Sequence, residues 1–211
     1  MNRNRLLLYT CLASTLLAAC GSEPVGIQRI ALRAFVTSSQ VEPSAIPIFC
    51  SLAALSANLA PIRHPTTKKE SVFRPLVAKN GVDSIPISAD DELTDLPDAY
   101  WENTRGELLF PAKSAVLTSN PEHDFDVSEF GSTEPHGEMV WTGINPNDAE
   151  KTSWLGYKCT SRTSFQIWSS YENNDQAFTG SVGGKDRTWL GGQEWQCDKL
   201  AHIYCFETFP N

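Results

Sequence analysis

Positive charge is scarce in this chain. Its 17 lysines and arginines face 25 aspartates and glutamates, and residues 114 to 150 contain no lysine or arginine. Phosphate backbones are bound through clustered cations, so a nucleic-acid partner is excluded. Long apolar runs are equally scarce. The longest, Leu6 to Ala19, falls short of the roughly twenty residues a membrane-spanning helix needs, and no later segment is long enough. Catalytic signatures are missing too. There is no Gly-x-Ser-x-Gly elbow, no His-Glu-x-x-His and no Gly-x-x-x-x-Gly-Lys, which argues against a serine hydrolase, a zinc peptidase and a phosphate-binding loop. No Glu-Pro-Asn or Gln-Pro-Asp triplet offers lectin-type calcium ligands, and Glu194-Trp195-Gln196 supplies amide where a carboxylate would be needed. The chain is therefore expected to be non-enzymatic, with no metal or cofactor.

What is present begins with a basic head, Arg3 and Arg5, followed by the short apolar run and then Leu17-Ala18-Ala19-Cys20. Basic head, apolar middle and small residues compose an export signal. The last four resemble a bacterial lipobox, which implies cleavage after residue 19, acylation of Cys20 and a lipid-anchored chain. Residues 20–28 then read as lipidated cysteine and tether, and residues 29–211 as one domain of about 180 residues. Gly21 is not the aspartate that retains lipoproteins at an inner membrane, so the outer membrane is the expected location. Losing Arg3 and Arg5 leaves 15 basic residues against 25 acidic ones, a net charge of −10.

Cys11 would leave with the signal and Cys20 would carry lipid, so four cysteines remain: Cys50, Cys159, Cys197 and Cys205. An even count in an exported chain reads as two disulfides. Ala201 to Glu207 is a strand candidate, rich in branched and aromatic residues. In an extended chain Cys197 and Cys205 would then lie up to about 26 Å apart, far beyond the roughly 7 Å a bridge tolerates. Each late cysteine is therefore expected to reach an earlier one. Nested pairs (50–205 with 159–197) and crossed pairs (50–197 with 159–205) both remain open.

Along the chain, residues 29–39 read as a strand with Ile30, Leu32, Ala34 and Val36 on one face. Ile48, Leu52, Leu55 and Leu59 have helical spacing, with Ser44 as cap and Pro47 in the first turn. Residues 72–78 and 83–88 are proline-interrupted strands, and 106–119 is a strand leading into a short helix. Residues 138–143 form a buried strand. Residues 144–200 read as a loop-rich region carrying Trp154, Trp168, Trp189 and Trp195.

The most specific stretches are Leu108-Leu109-Phe110-Pro111, Val140-Trp141-Thr142-Gly143 and Cys197 through Glu207. Together with the cysteine-bearing helix, they resemble the endostatin domain, in particular its bacterial relatives on lipoproteins. The resemblance implies an α+β, C-type-lectin-like fold: two helices on a curved antiparallel sheet, a long loop region, and the nested pairs Cys50–Cys205 and Cys159–Cys197. Such bacterial relatives are associated with extracellular-matrix and serum proteins. That implies a surface-displayed binding module for a protein or glycan outside the cell, serving adhesion or immune evasion in a host-associated organism. A periplasm-facing structural lipoprotein is the alternative, and a hydrolase a more distant one. The histidine-rich zinc segment and the arginine surface for heparin of the vertebrate domain have no counterpart here.

Within that reading, Trp154, Trp168, Trp189 and Trp195 are candidate ligand anchors. Pro121 to Asp126 has a metal-like composition but reads as a solvated acidic loop, and His64 and His202 read as structural. Eight acids, Glu122, Asp124, Asp126, Glu129, Glu134, Glu138, Asp148 and Glu150, oppose a basic group of Arg63, His64, Lys68, Lys69, Arg74 and Lys79, where Glu70 is the only acid. That asymmetry suits steering of a charged partner.

Overall fold

The structure, a computed structural model, describes residues 29–77, 98–144, 159 and 176–209. The signal and tether, Trp154, Trp168, Lys79, Asp148, Glu150 and the strand expected over 83–88 lie outside the described residues. The fold is α+β. Eight strands, β1 (Ile30–Val36), β2 (Val72–Pro75), β3 (Ala99–Glu102), β4 (Leu108–Phe110), β5 (Met139–Trp141), β6 (Gln176–Ser181), β7 (Gln193–Gln196) and β8 (His202–Thr208), join into one sheet among the described residues. Among the described residues one 11-residue helix, α1 (Ile46–Ser56), follows a 3-10 turn at Pro43–Ala45, and α2 (Ala115–Thr118) is one short turn.

Strand order is β4-β3-β1-β8-β5-β6-β7, with β2 also paired to β8. The middle strand therefore carries β1 along one edge and β2 and then β5 along the other. All seven residues of β8 are buried. Successive side chains on a strand point to opposite faces, so Tyr204 and Phe206 join one core while Ile203 and Cys205 join another. The first core holds Leu32, Trp101, Phe110, Phe125 and Trp189. Phe125 stacks on Tyr204 at 4.3 Å, and Phe110 lies 5.2 Å from Trp189. The Tyr204 hydroxyl donates to Ser181 O at 2.9 Å, and burial pushes its phenol well above the ordinary 10.0. The second core holds Phe35, Phe73 and α1.

The sheet is mixed, not purely antiparallel. β1 pairs with β3 and β5 with β8 in parallel. The expected second helix is only the turn α2. The strands β6 and β7 run through the region read as loop. Their sequences, Gln-Ala-Phe-Thr-Gly-Ser and Gln-Glu-Trp-Gln, carry little strand preference. Ladder bonds to β5 and to each other supply what local preference does not. Gly180 is required within β6, since a Cβ there would lie 1.7 Å from the carbonyl oxygen of Trp189.

The bridges are Cys50–Cys205 and Cys159–Cys197, the nested arrangement. The first ties α1 to β8 and sets the rotation of the helix. Ile46, Cys50, Ala53 and Ala54 face the sheet, the alanines being small enough to let the helix backbone sit close. Of the four residues with helical spacing, Ile48 is 61%, Leu52 51% and Leu55 73% exposed, while Leu59, past the end of α1, packs partly buried against the second core. Ser44 does not cap either; it lies inside the 3-10 turn, and the N-cap of α1 is Ala45 without a side-chain hydrogen bond.

One polar network crosses the end of the sheet. The buried Glu207 carboxylate accepts from Arg33 Nε at 2.8 Å and Nη2 at 2.7 Å, from Arg33 N at 3.1 Å, and from the Ser71 hydroxyl. Arg33 also donates to Ala60 O and lies over the Phe73 ring, joining β1 to both chain segments that follow α1.

The helix rotation makes a direct prediction. Ile46→Ala should cost about 2–4 kcal/mol in urea unfolding, as for a core aliphatic, whereas Leu55→Ala should stay within roughly 0.5 kcal/mol. Equal costs would contradict this packing. In the chain-entropy view, removing Cys50–Cys205 with paired alanines should cost about 5 kcal/mol and removing Cys159–Cys197 about 4 kcal/mol, measured by the same unfolding curves.

Candidate functional site

Residues 127–133 form a small hairpin whose two ends meet at a bridge between Val127 and Thr133. Ser128 N donates to Ser132 O at 2.8 Å, and Gly131 N to Ser128 O at 3.0 Å. Gly131 has φ +76°, a backbone state that glycine adopts without cost. The turn is held from both sides. Inward, Glu129 is buried and accepts from Ser38 N at 2.8 Å and Ser38 Oγ at 2.7 Å. Outward, Arg105 donates from Nε to Gly131 O at 2.7 Å and from Nη2 to Thr133 Oγ1 at 2.8 Å, while Thr104 Oγ1 donates to Ser128 O at 2.6 Å. Phe130 sits at the tip of this fixed turn, 60% exposed.

Acidic groups surround it in sequence. Asp124 and Asp126 flank Phe125, whose burial fixes the backbone between them. His136 Nε2 lies 2.8 Å from Asp126 Oδ2 and 3.9 Å from Asp124 Oδ2, and Lys185 Nζ lies 3.6 Å from Asp124 Oδ1. The His136 ring packs on Gly183, where a Cβ would come within 2.7 Å of it and φ is +63°. The segment expected to be a solvated acidic loop is thus a pinned one, with partly covered acids on either side of a buried aromatic plug. His123 is exposed. No group of three or more His, Cys, Asp or Glu side chains suited to hold a metal ion occurs among the described residues.

The tryptophans divide. Trp189 is fully buried between Phe110, Phe125 and Tyr204, so it offers no face to a ligand and is a core residue. Trp195 is half-buried on β7 and donates from Nε1 to Leu200 O at 3.3 Å. Trp154 and Trp168 lie outside the described residues. Phe130 went unnoticed in the sequence, although an aromatic followed by glycine within Ser-Glu-Phe-Gly-Ser is what an aromatic turn tip looks like.

His64 and His202 are internal. His64 Nδ1 accepts from Thr66 N and Thr67 N at 3.1 and 3.0 Å, and its ring meets Phe209 edge-on. The ring nitrogens of His202 meet Thr37 O and Glu138 Oε2, and Gln40 Nε2 lies 3.4 Å from its Nε2. Gln40 Nε2 adds a bond to Glu138 Oε2 at 2.8 Å.

A scan against family models finds none that matches this chain, and a search of curated proteins finds no match.

The hydrogen bond from His202, joined by that from Gln40, holds the Glu138 carboxyl below its ordinary 4.5. A carboxyl lowered in the folded state contributes stability above its unfolded pKa and loses it as pH falls through the folded one. Glu138→Gln should therefore be less stable than the parent at pH 7. The difference should narrow below pH 4.5 and close below the lowered folded-state value. Thermal melts across that range check it; a gap that widens in acid would contradict the assignment.

Proposed function

We propose that this chain is a non-enzymatic binding module displayed on the cell surface from a lipid at Cys20, with an endostatin-like, C-type-lectin-like domain over residues 29–211. The observation that carries the binding role is Phe130, an exposed aromatic ring on a turn locked by Arg105, Thr104 and the buried Glu129. Aromatic anchors dominate protein interfaces, and a turn held rigid before binding loses little freedom on association. Acids nearby in the chain, including Asp124 and Glu122, favour a cationic protein surface and would speed its encounter at low salt. The nested bridges and the placement of Cys50 on a helix support the family resemblance. The ligand class is matrix or serum protein, or glycan, outside the cell, and the half-buried Trp195 supplies a second contact on the same reading.

The test is immobilisation of the mature chain followed by titration of matrix proteins, serum proteins and glycans. Saturable binding is expected, with an association rate that falls as salt rises. Phe130→Ala should weaken it by at least tenfold, about 1.4 kcal/mol, while leaving the melting temperature within about 2 °C of the parent. A panel with no saturable binding, or an unchanged Phe130→Ala affinity, would falsify this role for the turn.

A further inference from the structure

The two end strands of the sheet are finished differently. At one end β4 is covered. Leu109 O, in its middle, accepts from Glu122 N at 2.9 Å, Pro111 follows it, and a bulge between Trp101 and Glu102 breaks its register with β3. Covering loops, prolines and bulges are the devices that keep a sheet edge from adding further strands. At the other end β7 carries no proline, no lysine and no register shift, and Gln193, Glu194 and Gln196 are exposed.

The register shows which backbone groups of β7 are left over. In an antiparallel ladder each residue directs its N–H and C=O to one neighbour, and successive residues alternate. Val182 N donates to Glu138 O at 2.9 Å and Gly143 N to Phe178 O at 2.8 Å, so the even-numbered residues of β6 bond toward β5. Ala177 and Thr179 therefore bond toward β7, opposite Trp195 and Gln193. Glu194 N–H, Glu194 C=O and Gln196 N–H are left pointing outward, and among the described residues nothing pairs with them. Gln196 O takes Lys199 N at 3.1 Å. The two faces beside this edge differ. On one, the half-buried Trp195 leans on the second core and donates to the carbonyl of Leu200, whose side chain is half exposed. On the other stands the Glu194 carboxylate, and the formal charges of Asp198 and Lys199 that follow cancel.

We propose that the outer edge of β7 takes up an extended segment of a partner protein as an added strand, with a lysine or arginine opposite Glu194 and an aliphatic or aromatic side chain against Trp195 and Leu200. Main-chain bonds along such an edge supply affinity, and alternate side chains supply selectivity. An opposite charge across from Glu194 adds a favourable cross-strand pair. A second copy of this chain fits the edge poorly. Pairing Glu194 with its own counterpart sets like charges opposite each other. Pairing it with Gln196 instead aims both Glu194 N–H groups at carbonyls that Lys199 N already occupies. A basic and apolar strand meets neither obstacle. The proposal deepens the binding reading at Trp195, because an added strand is a polypeptide and not a glycan. It rests on that reading only for placing the partner outside the cell.

Hydrogen exchange of the full chain, followed amide by amide, tests this with a short capped peptide of alternating lysine and valine. Exchange at Glu194 and Gln196 should slow by roughly tenfold or more at saturating peptide, while Gln193 and Trp195, already bonded to β6, change little. N-methylation of the peptide's lysines, which removes the N–H groups facing β7, should abolish the effect; N-methylation of its valines should not. Glu194→Pro removes an outward donor and no bond to β6, so it should weaken peptide binding by about tenfold and leave the melting temperature within about 2 °C of the parent. Glu194→Lys should lose the lysine peptide and accept one of alternating glutamate and valine. The Phe130→Ala chain should bind the peptide as the parent does, so failure at this edge and failure at the turn are read separately. No slowing at millimolar peptide, equal slowing with the lysine-methylated peptide, or slowing in peptide-free buffer that grows with protein concentration would overturn the proposal; the last result would mean a second copy of this chain on the edge.

Discussion

The covalent link between Cys50 and Cys205 is the constraint on which the architecture turns. It joins the one long helix among the described residues to the central strand, which pairs with β1, β2 and β5. Because β8 is buried on both faces, its alternation has two consequences at once: Tyr204 and Phe206 organise the aromatic core, and Cys205 reaches the opposite side to hold α1. Once that sulfur is fixed, so is the helix rotation. Ile46, Ala53 and Ala54 pack inward, and the larger aliphatics are left outside.

Two unlike surfaces follow from this sheet. On the aromatic side, Phe125 plugs a loop between Asp124 and Asp126, and a hairpin anchored by Glu129 and Arg105 presents one aromatic ring. On the helix side lies an uncharged aliphatic stripe that continues into basic chain. Two polar networks tie the joints between these parts. Glu207 takes Arg33 and Ser71, and His202 bridges Thr37 and Glu138.

Strands β1, β5 and β8 were legible because each is an apolar or alternating run bounded by turn residues. The helix was legible as a helix but not in its rotation. Two stripes share its spacing, Ile46-Cys50-Ala53-Ala54 and Ile48-Leu52-Leu55-Leu59, and hydrophobicity favours the second. Packing chose the first, since small residues bring the helix near the sheet and the disulfide demands it. Strands β6 and β7 were hidden because Gly180, Ser181 and the glutamines carry little local signal, and their partners lie far away in the chain. Trp189, a candidate anchor as one of the aromatics of the loop-rich region, joins the core, and Gly180 lets its backbone come close.

By itself, the amino-acid order determined the charge balance, the candidate cysteines and the segments able to become strands, because these depend on composition and short-range periodicity. Which cysteines pair, which helix face is wet, and which aromatic stands in solvent were decided only in three dimensions. Those outcomes depend on contacts between residues more than thirty positions apart, such as Ser38 with Glu129 and Cys50 with Cys205. No local pattern encodes a contact whose two halves are specified independently and whose energy exists only when the sheet brings them together.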